Sequence, residues 1–153
     1  MNAPLRMAET STKNGIERFI DRCRQEGLKV TPQRIAIYKV LMESRDHPTA
    51  DVVYRKMAST NPTISFDTVN RTLLTFAGIG VIDMVESYSV SRRFDTVTSP
   101  HHHVHCVKCG HIADFTDAEL DAVKIPDSIA SQFEVIGQRM VVSCVCPDCA
   151  GSE

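Results

Sequence analysis

The chain has 153 residues, 42% hydrophobic and only 6% aromatic, enough for one ordinary domain or two small ones. No apolar run approaches the ~18 residues of a membrane span, and the polar start MNAPLRMAETSTKNG lacks the apolar segment of an export signal, so a cytoplasmic protein with no membrane partner is expected. The net charge of −2 is unevenly spread: residues 1–97 hold 14 Lys and Arg against 11 Asp and Glu (+3), and residues 98–153 hold 3 against 8 (−5). A basic half joined to an acidic half suggests that only the first meets a polyanion, although ordinary scatter of surface charge gives the same sums.

Residues 1–13 read as a flexible tail. Ile16, Phe19, Ile20 and Cys23 then repeat at helical spacing until Gly27 ends the pattern. Thr31-Pro32 is a second helix start, threonine as N-cap and proline in the first turn, and this helix runs through Ile35, Ile37, Val40 and Leu41 to about Ser44. A third helix from Thr49 or Ala50 is expected to bury Val52, Val53 and Met57. After Asn61-Pro62, Ser65 can cap a fourth helix carrying Val69, Leu73 and Phe76, stopped by Gly78 and Gly80. Two alternating stretches, 81–85 and 89–94, read as a hairpin. Helices followed by a hairpin is a winged helix-turn-helix order, in which the last helix before the hairpin enters the DNA major groove.

Past Thr98 the pattern changes. Residues 103–106 and 111–115 flank a Cys109-Gly110 turn as short strands, 117–123 and 128–133 read as short helices, and 134–144 as a strand. The expected division is a winged-helix domain over 14–97 and a small α/β domain over 98–153, giving an α+β fold. A unit of that size often needs a metal, a disulfide or a partner subunit to hold together.

Cysteine and histidine are concentrated in this second part. Cys106/Cys109 and Cys146/Cys149 form two CxxC pairs, and five of six histidines lie between 101 and 111. Four thiolates in two such pairs suit a tetrahedral structural zinc, against the alternatives of buried free thiols or a redox pair. Cys23 sits on a helical apolar face and is expected in the core. Cys144 has no assigned partner.

The segments HPTADVVYRKM, TPQR and SRRFDTVTSPHHHVHCVKCGHIADF, with the closing CxxC, resemble the ferric uptake regulator (Fur) superfamily, most of all its peroxide-sensing repressor (PerR) branch. The likeness spans residues 16–150. It implies a homodimeric winged-helix repressor on palindromic, AT-rich double-stranded operator DNA, with the second domain as the dimerisation domain and no enzymatic activity. It also implies a regulatory Fe(II) or Mn(II) site, whose ligands carry over position by position to His47, Asp95, His101, His103 and Asp114. Three nitrogens and two carboxylates suit those ions and not soft, thiolate-preferring metals. Ligands drawn from both domains would let metal binding select one domain arrangement; moving such an equilibrium from 1:99 to 99:1 takes about 5.5 kcal/mol of preferential affinity.

His101 and His103 share strand parity and so a face, as does His105, which has no place in the implied set; His102 points the other way. His111 is expected at the surface. Asp114, where glutamate is the alternative, favours the peroxide-sensing branch, in which Fe(II) and peroxide oxidise His47 or His101 and DNA is released. Pro100 stands where a further site of iron-uptake members expects histidine. An iron-responsive repressor released by metal loss is the nearest alternative. A zinc-stapled protein adaptor leaves the His/Asp set unexplained, and an enzyme would need a cleft and an open coordination position.

The reading helix 66–76 offers Asp67, Thr68, Asn70, Arg71 and Thr75 to DNA. Arg71 can reach phosphate or guanine, and Asn70, where the family usually has tyrosine, can pair with adenine. Arg18, Arg22, Arg34, Arg55, Arg92 and Arg93 are candidates for backbone contacts, with plain solvent exposure as the default for each.

Overall fold

The computed structural model describes residues 12–44, 46–85, 87 and 91–151. Residues 1–11 of the expected tail, and Ser89 and Val90 of the expected hairpin, lie outside the described residues. The chain divides between Thr98 and Ser99 into two compact units.

The first unit contains α1 (Thr12–Gln25), α2 (Pro32–Glu43), α3 (Ala50–Thr60), α4 (Phe66–Gly78) and the strands β1 (Asp83–Val85) and β2 (Arg93–Asp95). Gly27 ends α1 at φ 71°, a conformation open to glycine without steric cost. It lets Leu28 N–H reach the Cys23 carbonyl (2.7 Å) and Gly27 N–H the Arg24 carbonyl (3.1 Å), the paired bonds of a Schellman stop. Hydroxyl caps start the next three helices: Thr31 accepts from Arg34 N–H, Thr49 from Val52 N–H and Ser65 from Thr68 N–H.

The helices close on one core. Phe19 stacks on Tyr38 with ring centroids 4.1 Å apart and meets Phe76 edge-on at 5.0 Å. Ile37, Leu41, Val53, Met57, Val69 and Leu73 fill the space around them. Cys23 is fully buried there, and burial pushes its thiol pKa up, as befits an uncharged packing group. Val52, expected inside, is exposed: the α3 face that packs inward runs through Ala50, Val53 and Met57, which puts Val52 on its flank. Val81 and Ile82 are buried but precede the hairpin, which is shorter than expected and pairs Asp83 with Asp95 and Val85 with Arg93. On its other side β2 meets the loop before α3, with Phe94 N–H donating to the Pro48 carbonyl at 3.1 Å and a bridge from Arg93 to Thr49.

The second unit contains β3 (His102–Cys106), β4 (Ile112–Phe115), α5 (Ala118–Asp121), α6 (Asp127–Ala130), β5 (Val141–Cys144) and α7 (Pro147–Ala150). Its sheet has the order β4-β3-β5, antiparallel on one side of β3 and parallel on the other. A parallel neighbour requires a crossover, which α5 and α6 supply. That requirement corrects two expectations. Only the last four residues of 134–144 form a strand, because the preceding ones are needed to bring the chain back, and α6 stops at Ala130. The central position of β3 explains why His102, His103, His105 and Cys106 are all buried.

Candidate metal centres and nucleic-acid interface

Two tight turns bring the cysteine pairs together. After Cys106 the chain reverses, with Gly110 at φ 76° and its N–H on the Cys106 carbonyl; Cys146 is the N-cap of α7, which carries Cys149 inward one turn later. The four sulfurs of Cys106, Cys109, Cys146 and Cys149 lie within 4.8 Å of one another. Sulfurs bound tetrahedrally at ~2.3 Å from one zinc sit about 3.8 Å apart; Cys109 Sγ and Cys146 Sγ are 3.7 Å apart.

The electrostatics match the geometry. Backbone N–H groups of Cys109 and Cys146 point at the Cys106 sulfur and lower its pKa to about 5, whereas the neighbouring sulfurs of Cys146 and Cys109 push Cys149 up to about 12. Without a cation the cluster therefore cannot hold four thiolates at neutral pH, and a divalent ion removes the conflict. Cys144, paired across the sheet with Cys106, stays outside the four; burial, then the Cys106 and Cys146 sulfurs, raise its pKa.

The expected regulatory ligands form one local group in each unit. In the second unit, His101 Nε2 and His103 Nε2 are 2.9 Å apart, and Asp114 Oδ1 lies 3.7 and 3.4 Å from them. His101 Nδ1–H donates to the Ser99 carbonyl at 2.7 Å, which fixes the tautomer and leaves the Nε2 lone pair facing the cluster. Two ring nitrogens this close share either a proton or a cation, and nitrogens held at right angles ~2.1 Å from one ion lie about 3.0 Å apart. Both imidazoles are buried and the Asp114 carboxylate is half-buried.

In the first unit, His47 Nε2 lies 3.4 Å from Asp95 Oδ2, both side chains buried. Asp95 Oδ1 accepts from Val97 N–H at 2.8 Å, orienting the carboxylate. Among the described residues, His47 is the one non-glycine at positive φ, 49°, which costs about 1–2 kcal/mol and must be held by its surroundings.

His102, expected to point away, does so, but into a buried position. Its Nε2 meets Asp121 Oδ1 at 3.1 Å and its Nδ1 accepts from Met140 N–H at 3.0 Å, joining β3 to α5 and to the approach of β5. No local pattern marks Asp121 as a partner; the opposite strand parity of His102 is the one signal of this contact in the sequence. His105 is buried and His111 exposed.

On α4, Asp67 and Arg71 are exposed and paired at 3.1 Å, Thr75 donates to the Arg71 carbonyl, and Thr68 shares the Ser65 cap. Asn70 is half-buried and lines a groove of about 260 Å³ with Phe66, Asp51 and Arg92. Arg18, Arg22, Arg34 and Arg55 each bond within the first unit. Arg93 is half-buried and donates from Nη1 to the carbonyls of Asp46 (3.1 Å) and His47 (3.3 Å), which corrects its placement among surface arginines.

A winged-helix reader, followed in the chain by a cysteine-clustered α/β unit with buried imidazole and carboxylate groups, defines a metal-dependent DNA-binding regulator. The chain belongs to the ferric uptake regulator family, whose sequence pattern matches residues 25–143. It is 37% identical over 139 residues to the peroxide-responsive repressor PerR of Staphylococcus epidermidis, covering 91% of this chain and 93% of that protein. Its fold is similar to the Helicobacter pylori ferric uptake regulator, described as having three functional metal-binding sites, with a TM-score of 0.75 at 24% identity over 94% of this chain and 97% of that one. The iron-bound ferric uptake regulator of Francisella tularensis superposes with a TM-score of 0.68 at 25% identity, covering 81% and 96%. The chain is accordingly a metal-dependent transcriptional repressor, of a family of dimeric DNA-binding regulators rather than enzymes. Among the described residues, no helix is long and apolar enough to cross a membrane.

Proposed function

We propose that the chain represses transcription as a homodimer on palindromic, AT-rich operators, in the cytoplasm, and leaves DNA when peroxide oxidises its iron site. Structural zinc is held by Cys106, Cys109, Cys146 and Cys149. The regulatory Fe(II) or Mn(II) takes His47 and Asp95 from the first unit and His101, His103 and Asp114 from the second. The donor set carries the reading: two sulfur-free groups of buried imidazole and carboxylate suit these ions and poorly suit the soft metals that the cysteines select. Bound Fe(II) supplies the electrons that reduce peroxide at the site, and Mn(II) does not.

The protein's own residues do the rest. The Ser99 carbonyl keeps the His101 Nε2 lone pair on the ligand side, and burial of His47, His101 and His103 limits water access. Oxidation of His47 or His101 removes a donor, lowers metal affinity and releases DNA. α4 enters the major groove with Asp67, Thr68, Asn70, Arg71 and Thr75 toward DNA, and the second unit supplies the dimer contact.

The test is operator binding by anaerobic protein loaded with Fe(II) or Mn(II), before and after a small excess of hydrogen peroxide. The expected result is loss of DNA by the Fe(II) form alone, with one oxygen added to a peptide containing His47 or His101. Retention by both forms, with release only by a chelator, would instead establish an iron-responsive repressor.

A further inference from the structure

We propose that Arg93 is a positioning residue for the regulatory metal: it holds the left-handed backbone at His47 and so presents that imidazole beside Asp95. The inference rests on the reading of His47 and Asp95 as ligands.

His47 adopts φ 49°, a conformation its own chemistry disfavours, at the junction between the end of α2 and the start of α3. One Arg93 nitrogen donates to two successive carbonyls there, Asp46 at 3.1 Å and His47 at 3.3 Å. Arg93 belongs to β2, which also grips the following residues through the Phe94–Pro48 hydrogen bond and the Arg93–Thr49 bridge. Two residues along the same strand comes Asp95, whose carboxylate lies 3.4 Å from His47. β2 therefore delivers one ligand directly and, through Arg93, sets the backbone that carries the other. Its neighbour Arg92 is exposed and lines the groove beside α4, whereas Arg93 is half-buried and turns its guanidinium onto the backbone at residues 46 and 47.

Residues that orient metal ligands without touching the metal typically cost 10–100-fold in affinity when removed. The experiment compares Mn(II) affinity of the full-length, zinc-loaded protein with those of Arg93→Ala, Arg93→Lys and His47→Ala, using competition with a fluorescent chelator. Zinc content and circular dichroism accompany each variant. Arg93→Ala should bind Mn(II) at least about tenfold more weakly with its zinc retained, and Arg93→Lys should fall between it and wild type, since its ammonium keeps the charge and donors but ends one bond short of the Nη1 position. The Mn(II) concentration for half-maximal operator binding should rise by the same factor. If His47→Ala loses Mn(II) while both Arg93 variants bind it as wild type does, the positioning role is overturned. Wild-type Mn(II) affinity in His47→Ala sinks the ligand reading itself. If Arg93→Ala does not fold, Arg93→Lys decides, and wild-type affinity there also overturns the proposal.

Discussion

Within the cysteine cluster, residues of one chemical type carry opposite pKa shifts. Backbone N–H groups aimed at its sulfur push Cys106 toward the thiolate; crowding by other sulfurs pushes Cys149 toward the thiol. Zinc binding should therefore expel protons from the crowded sulfurs at neutral pH. Titrating zinc into metal-free protein in weak buffer should release protons, and a release of zero at pH 7 contradicts the assignment. On the acid side the sign is equally definite: below about pH 5 Cys106 also gains a proton, so zinc affinity should fall more steeply with decreasing pH there than above it. Zinc retention across pH 4–8, read by a colorimetric chelator, checks the slope. Cys144→Ser should leave zinc content unchanged, because Cys144 lies outside the four-sulfur cluster.

Helix α4 serves two masters at the scale of the element. Its inner face, Val69, Leu73 and Phe76, is fully buried, and Phe76 joins the aromatic cluster with Phe19 and Tyr38. Phe76→Ala should destabilise the first unit by about 3–5 kcal/mol, seen as a lower chemical-denaturation midpoint. Its outer face is polar, with Arg71, among the described residues, in an exposed pair to Asp67 worth at most about 1 kcal/mol and readily exchanged for another partner. Arg71→Ala should therefore barely change stability yet weaken operator binding. If Arg71 contacts phosphate, the salt-dependence slope of binding should also drop by about 1; if it reads guanine, discrimination at that base pair relaxes instead. A variant matching wild type in affinity, slope and base preference removes Arg71 from the interface.

For the whole molecule, the two units differ in how they can be stable. The first has a continuous apolar core. In the second, among the described residues, Cys106 and Ile112 are the only buried hydrophobic ones, while Phe133, Ile136 (96% exposed), Met140, Val142 and Val145 face outward. A unit with so small an apolar core is expected to need a metal or a partner subunit, and its exposed apolar side chains are the surface a partner would cover. Ile136→Glu should shift the protein from dimer toward monomer in light scattering and weaken operator binding, since two half-sites must be held at once. Retention of a stable dimer would place the interface elsewhere.

Most of the first unit was legible from local signals, because caps, prolines and glycines act over three or four residues. Thr31, Thr49, Ser65 and Gly27 stand at or beside the helix ends they imply. The two CxxC pairs announced a shared site through spacing alone, since each pair needs only its own turn. Local pattern could not rank faces that depend on distant neighbours: Val52, expected inside, is exposed because α2 and α4 pack on the α3 face formed by Ala50, Val53 and Met57. Nor could it shorten the 134–144 strand, whose length is set by the crossover that a parallel partner demands. The close approach of His102 to Asp121 and the grip of Arg93 on residues 46 and 47 join positions 19 and 46–47 residues apart in the chain. The sequence determined which groups are available and where helices begin and end; tertiary packing decided which groups meet, because hydrogen bonds and burial act through space.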